Sequence, residues 1–127
     1  MRNMSFSLTT KQCREMTKDV TRQLGWATLK PGDHFRAVEK GMGLKKGEKV
    51  VRLHECICIS NTPEPLADII RRPFRAGRSE CEREGFPEMT PDEFVTMFCT
   101  HNKVKPEGII RRIEFAYVTE VEDGSSG

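Results

Sequence analysis

The side chains with the strongest intrinsic chemistry in this sequence belong to its five cysteines and three histidines. The cysteines are odd in number, and no two show the Cys-x-x-Cys spacing of zinc and redox sites. His34, His54 and His101 lack the mutual spacing of metal ligands. We therefore expect reduced thiols that act as small apolar side chains, with Cys56 and Cys58 on one strand face, and no metal or other cofactor.

Lysines and arginines form the second set of chemically capable side chains. Residues 1–55 contain twelve Lys or Arg against six Asp or Glu, whereas residues 56–127 contain nine against thirteen. The glycine-rich loop Gly41–Gly47 carries Lys45 and Lys46, but it lacks the Gly-Lys-Ser/Thr ending of nucleotide phosphate loops. A second basic segment holds four arginines, Arg71, Arg72, Arg75 and Arg78. Charge alone leaves two alternatives open, phosphate contact or a merely solvated surface.

The first half of the chain predicts the elements that position these groups. Alternation over Met4–Leu8 indicates a strand, and Thr9–Thr10 offers a cap for a short helix ending near Lys18. Pro31–Gly32 fits the centre of a type II turn, which leads into a strand over His34–Glu39.

The second half predicts strands separated by short helices. Val50–Ile59 is a strand by composition, and the prolines of Asn61–Pro65 are expected to break it before a helical turn over Leu66–Ile70. Ser79 and Gly85 bound a short acidic helix.

A longer helix and a last strand complete the predicted elements. Thr90-Pro-Asp-Glu93 reads as a capping box that starts a helix, whose buried face holds Phe94, Met97 and Phe98. Alternation over Gly108–Val118 indicates a final strand, which we expect to close the sheet.

Length and composition favour a single domain over residues 1–118, followed by a flexible acidic tail over 119–127. With 36% hydrophobic and 31% charged residues the chain is typical of a globular protein with one core. It contains neither an apolar run that could cross a bilayer nor a signal peptide, so we expect a cytoplasmic protein without membrane contact. The element order indicates an α+β fold with a curved, partly closed β-barrel and flanking short helices.

Four segments carry a family resemblance when taken in order: Lys18-Asp-Val-Thr21-Arg22, Leu29-Lys-Pro-Gly-Asp33, Glu84-Gly-Phe86 and Arg112-Ile-Glu-Phe115. Together they resemble an ASCH domain of the PUA-like superfamily, over about residues 4 to 118. The Gly-Trp and Glu-Gly-Phe-Pro-x-Met-Thr-Pro-x-Glu-Phe phrases are similar to members encoded by phages and prophages. The resemblance implies a small PUA-like barrel with a cleft beside it.

What the resemblance implies about function has two branches. Members are similar to RNA-binding PUA domains, which implies a protein that binds RNA or a modified nucleotide. Some members are hydrolases, either amidohydrolases that remove acetyl from acetylated cytidine or ribonucleases. By similarity to the amidohydrolase, the working set here is Lys18, Thr21 and Glu84.

The chemistry of that set is consistent with acyl transfer. A threonine hydroxyl needs a base, which a desolvated lysine supplies, and a carboxyl group can pass a proton to the leaving amine. Arg22 is the nearest candidate in sequence for stabilising an oxyanion. The alternative is that Lys18, Thr21 and Arg22 only grip phosphate or ribose. The chain also has Gln23 where the amidohydrolase has arginine, and Arg22 would lie on the opposite strand face.

The wider predicted binding surface consists of Lys18, Thr21, Arg22, Trp26, Glu39, Lys40, Lys45 and Lys46. Trp26 either stacks on a base or packs in the core. The expected partner is RNA or a modified nucleoside, and a role in binding another protein stays open.

Overall fold

A computed structural model describes residues 1–41, 44–72 and 79–119, and the structural statements below refer to those ranges. The strands are β1 (Arg2–Ser5), β2 (Val20–Gln23), β3 (His34–Val38), β4 (Arg52–Pro65) and β5 (Ile109–Tyr117). The helices are α1 (Thr10–Arg14), a 3₁₀ helix (Leu66–Arg71), α2 (Glu80–Glu84) and α3 (Pro91–Asn102). None of these helices combines the length and the apolar character needed to span a bilayer.

The strands form one mixed sheet in the order β1-β3-β4-β5-β2. β1 pairs with β3 in parallel, and the other three pairings are antiparallel. The register shifts at Ala37/Val38 in β3 and at Cys58/Ser60 in β4, and such irregularities bend a sheet. The sheet curls into a half-barrel whose two edges are β1 and β2. The α+β class and the curved sheet are therefore as predicted.

Strand β4 continues through the prolines that were expected to end it, so that prediction is wrong. Residues Ser60 to Pro65 pair with β5, and the Leu66 N–H donates to the Gly108 carbonyl at 2.9 Å. Because backbone N–H groups alternate in direction along a strand, the nitrogens of Pro63 and Pro65 face away from β5. β3 pairs no further along β4 than Ile57, so these prolines remove no ladder hydrogen bond.

Strand β2 was not predicted as a separate element, and it changes the position of β5. β2 pairs with β5 in the register Thr21↔Ile113 and Arg22↔Arg112. β5 is consequently an inner strand between β4 and β2, and the expectation that β5 closes the sheet is wrong.

The helix boundaries follow the predicted caps, with one exception. The Ser79 side chain accepts from the Glu82 N–H, and Gly85 ends α2 with a φ of 101°. Thr90 and Glu93 form both bonds of the capping box at the start of α3. α1 is shorter than predicted, because it ends at Arg14, and Thr9 makes no side-chain cap.

Two hydrophobic clusters lie on the two faces of β5, where the sequence predicted one core. The sheet cluster packs inside the curl and includes Phe35, Ile113 and Phe115, and the helix cluster includes Phe94 and Ile110. Ile110 and Ile113 point to opposite sides because side chains alternate along a strand. The 3₁₀ helix, α2 and α3 are therefore held to the outer face of the sheet, whereas α1 packs against the sheet cluster through Cys13.

Candidate functional site

An open cavity of about 500 Å³ lies where the two edge strands of the sheet approach each other. Its lining includes Ser5 from β1 and Thr21 and Gln23 from β2, while Met97 and Phe98 of α3 form the opposite wall. This volume is in the range of about 300–1,000 Å³ that small-molecule sites have. The cavity is thus a consequence of a sheet that curls but does not close.

Burial divides the lining into a floor and a rim. We name as the floor five buried residues, Phe6, Thr9, Lys18, Thr21 and Glu84. Three further lining residues are buried as well, Arg22 in β2 and Phe94 and Phe98 in α3. The rim consists of exposed or half-exposed residues, Ser5, Ser7, Leu8, Lys40 and His101. Polar groups on the floor are shielded from bulk water, so their interactions with a ligand are stronger than at the surface.

Lys18 is held on the floor at both its backbone and its side chain. The Tyr117 hydroxyl donates to the Lys18 carbonyl at 2.5 Å. The Lys18 ammonium donates to Glu84 twice, to Oε1 at 2.9 Å and to the backbone carbonyl at 2.7 Å. An ammonium has three N–H donors, so one is left for a ligand.

Thr21 and Gln23 lie on the same side of β2, as strand alternation requires. The Gln23 amide donates to the Thr21 hydroxyl oxygen at 2.9 Å. The Thr21 proton has no acceptor among the described residues, so it is free to donate to a ligand. Thr21 is only 3% exposed, which places this donor on the floor.

Arg22 points to the other side of β2, into a buried group of charges that we name the Arg22 network. Its members are Arg22, Arg112, Glu64, Glu80 and Glu84. The Arg22 guanidinium donates to Glu80 at 2.8 Å, to Glu84 at 3.0 Å and to Glu64 at 3.2 Å. Arg112 donates to Glu80 at 2.5 Å and 3.2 Å, and Arg72 pairs with Glu64 from outside. The network joins β2, β4 and β5 to α2.

The charges of the Arg22 network stabilise one another against the cost of burial. Burial favours the neutral form of Glu80, but hydrogen bonding to Arg112 and the charge of Arg22 outweigh it and lower the Glu80 pKa to about 2. Burial likewise opposes the charge on Arg22, yet Glu84 and Glu80 outweigh it and raise the Arg22 pKa. Glu80 and Arg22 therefore stay ionised at neutral pH.

Glu84 connects the network to the cavity. Its Oε1 accepts from Lys18 and its Oε2 accepts from Arg22. The structure therefore brings together the three residues Lys18, Thr21 and Glu84 on one floor, although Glu84 lies more than sixty residues away in sequence.

The expected oxyanion role of Arg22 does not fit this arrangement, because both its Nη atoms are bound by glutamates. Its Nε is buried and has no partner among the described residues. The Arg22 side chain is fully buried, so it would reach a ligand only by leaving its glutamates.

The other predicted binding residues divide between the rim and places outside the cavity. Lys40 lies on the rim. Trp26 packs edge-on against Phe35, with Arg2 stacked over it at 4.0 Å, so it occupies the core alternative. Three further residues do not line the cavity: Glu39, which pairs with Arg14 at 3.7 Å, and the exposed Lys45 and Lys46. Of the Arg71–Arg78 basic linker, positions 73–78 lie outside the described residues.

Sequence reasoning missed the wall formed by α3. Phe94, Met97 and Phe98 were assigned to the core, and His101 was considered only as a metal ligand. Residues three and four apart share a helix face, so the spacing 94, 97, 98, 101 was the available signal. An apolar stripe reads the same whether it faces a core or a cavity, which is why the signal was insufficient.

The structure gives positions for all five cysteines and all three histidines. Within the described residues no three His, Cys, Asp or Glu side chains cluster as ligands for an ion. All five cysteines are free thiols, four of them buried, and burial raises the pKa of the Cys81 thiol to about 11. Cys56 and Cys58 both lie in the sheet cluster, as their alternation predicted.

Comparison of the chain with protein-family models, curated proteins and solved structures finds no match.

Proposed function

We propose that this protein binds RNA or a modified nucleotide, as an ASCH-like member of the PUA-like superfamily of phage or prophage type. The observation that carries the proposal is the floor of the cavity, where Lys18 and Thr21 each offer a hydrogen-bond donor in a shielded, partly aromatic space. We extend the proposal to a cytoplasmic location, with which five free thiols agree.

The composition of the floor suits the edge of a nucleobase. A base combines flat apolar faces with acceptors and donors along its rim. Lys18 and Thr21 supply donors, and the Phe6 ring, which lies 5.4 Å from Lys18 Nζ, supplies apolar contact. Small-molecule sites commonly join a largely apolar lining to a few fixed polar groups in this way.

A titration tests the binding proposal. We expect the protein to bind members of a panel of modified nucleosides and short single-stranded RNAs at low ionic strength, with RNA affinity falling steeply as salt increases. Thr21→Val removes the hydroxyl at nearly constant shape and should weaken binding about tenfold.

Thr62→Val is the matched control, because Thr62 is an exposed strand residue away from the cavity. It should bind as the unchanged protein does. Absence of binding by every nucleoside and RNA in the panel at low salt would contradict the proposal.

A second candidate function is hydrolysis, favoured by the meeting of Lys18, Thr21 and Glu84 on one floor. In this reaction Lys18 first passes a proton to Glu84, to which it is hydrogen-bonded. The Thr21 oxygen then attacks the acetyl carbonyl of acetylated cytidine while the neutral Lys18 amine takes the hydroxyl proton. Glu84 passes a proton to the leaving amine, and water then releases acetate from Thr21. Cleavage of RNA is the other reaction that the family resemblance implies.

Product release tests the hydrolase candidate. The protein is incubated with acetylated cytidine and with RNA, and acetate and RNA fragments are measured. Lys18→Ala should abolish turnover, whereas Lys30→Ala, which removes an exposed lysine outside the cavity, should not. If neither product forms with the unchanged protein, binding alone remains as the proposed function.

A further inference from the structure

Two basic side chains, those of Lys40 and His101, lie on the rim of the cavity. Lys40 follows β3 and His101 lies in the last turn of α3, so two separate parts of the fold supply them. Among the described residues Lys40 forms an ion pair only with Glu48, at 3.8 Å and in an exposed position. The His101 side chain makes no hydrogen bond to any described residue. Both side chains are therefore available to a ligand.

The cavity lining as a whole carries more positive than negative charge. Among the described residues, Lys18, Arg22 and Lys40 are the cationic members of the lining and Glu84 is its one carboxylate. The charge of Arg22 is compensated by three glutamates, so the excess positive charge of the lining lies with Lys18 and Lys40. Glu84 is already bound by both Lys18 and Arg22, so it does not offset the charge at the rim. The mouth of such a cavity attracts anions.

We propose that the rim binds the phosphate group of a nucleotide whose base lies on the floor. The inference rests on the proposed binding function and adds the substrate class, which is a nucleoside monophosphate unit, free or within an RNA strand, in preference to an uncharged nucleoside. Lys40 supplies a charge at the rim, and His101 supplies a ring N–H in either of its charge states. The Ser5 and Ser7 hydroxyls lie beside them on the rim.

The rim and the floor of the cavity contact different parts of the proposed nucleotide. The floor donors, Lys18 and Thr21, are almost fully buried, whereas Lys40 and His101 are open to solvent. Base and phosphate contacts are thus made by different residues, and substitutions at the rim should change the preference for phosphate without changing contact with the base.

The test compares nucleosides with their own monophosphates. Binding of the four common nucleosides, their 5′- and 3′-monophosphates and single-stranded homopolymer RNAs is measured by calorimetry at low salt. We expect each bound nucleoside to gain about tenfold in affinity when it carries phosphate. Lys40→Ala and His101→Ala should reduce that ratio towards one, while Lys30→Ala should retain the full ratio.

Each outcome has a distinct meaning. If a monophosphate shows the rim-dependent gain, a free nucleotide is sufficient; if only the homopolymers lose affinity in the rim variants, the phosphate comes from an RNA strand. If the rim variants change neither the ratio of monophosphate to nucleoside affinity nor the affinity for the homopolymers, the phosphate site is overturned while the proposed binding function stands. If no nucleoside, nucleotide or RNA binds, the proposed function fails and this inference fails with it.

Discussion

Both sides of strand β2 carry polar side chains, but the two sides differ in what those side chains bind. On one side Arg22 donates to three glutamates inside the protein. On the other side the Thr21 and Gln23 side chains line an open cavity, and among the described residues they form a hydrogen bond only with each other. One side is therefore satisfied by the fold, and the other is left for a ligand.

This difference assigns separate tasks to neighbouring residues. The Arg22 network fixes α2 against the sheet, and in doing so it delivers Glu84 to Lys18. Glu84 belongs to both sides, since each of its carboxylate oxygens faces one of them. The cavity consequently has a rigid, pre-organised floor although it lies at an open edge of the sheet.

The largest effect should come from breaking the satisfied side. Arg22→Ala leaves three glutamates without their shared partner, and removal of one member of a buried ion group costs about 3–5 kcal/mol. We expect a decrease of that size in the free energy of unfolding, measured by urea denaturation.

The control for Arg22 is another strand arginine. Arg36→Ala removes a side chain whose one hydrogen bond within the described part of the chain, to Asn3, is 3.5 Å long, and it should change stability by about 0.5 kcal/mol or less. Equal effects of the two substitutions would mean that the Arg22 network does not hold the fold together.

The same network should make stability depend on acid pH. The Glu80 pKa falls from an ordinary value of 4.5 to about 2 in the folded protein, so its stabilising contribution is complete above about pH 4.5 and is lost as the pH falls towards 2. The contribution is about 3 kcal/mol. At pH 6 the unchanged protein should be more stable than the Glu80→Gln variant. As the pH falls to 2.5, the stabilities of the two proteins should approach each other.

Urea titrations over that pH range measure this prediction. Glu88→Gln serves as the control, because the Glu88 side chain is exposed and makes no bond to any described residue, and its curve should follow that of the unchanged protein. Parallel curves for Glu80→Gln and the unchanged protein would exclude Glu80 as the source of the acid sensitivity.

The sequence predicted local features well and the connections between them poorly. The Thr90 capping box, the Ser79 and Gly85 caps and the Pro31–Gly32 turn depend on neighbouring residues, and all are present. The extension of β4 through Pro65 depends on which side of that strand has a partner. A pattern of residues does not carry this information, because it arises from pairing between distant segments.

The candidate site divides in the same way. Family resemblance brought Lys18, Thr21 and Glu84 into one set, and they do share a floor. The Arg22 network joins residues from β2, β4, α2 and β5, and its existence follows from the registers Arg22↔Arg112 and Glu64↔Ile110. No spacing in the sequence indicates those registers, so the burial of Arg22 could not be predicted from the sequence.

The smallest change in stability should come from the open side of β2. Gln23→Ala removes one half-buried hydrogen bond, to the Thr21 hydroxyl, and should cost about 1 kcal/mol or less. Because that bond orients Thr21, nucleotide affinity should fall by about three- to tenfold in the same variant, measured by calorimetry. Gln12→Ala is a matched control, since Gln12 also makes one side-chain hydrogen bond, to the Gly85 carbonyl at 2.9 Å, but outside the cavity. It should lose comparable stability and keep its affinity. If Gln23→Ala destabilised the protein as much as Arg22→Ala, the two sides of β2 would not be distinct, and the floor of the cavity would owe its structure to both.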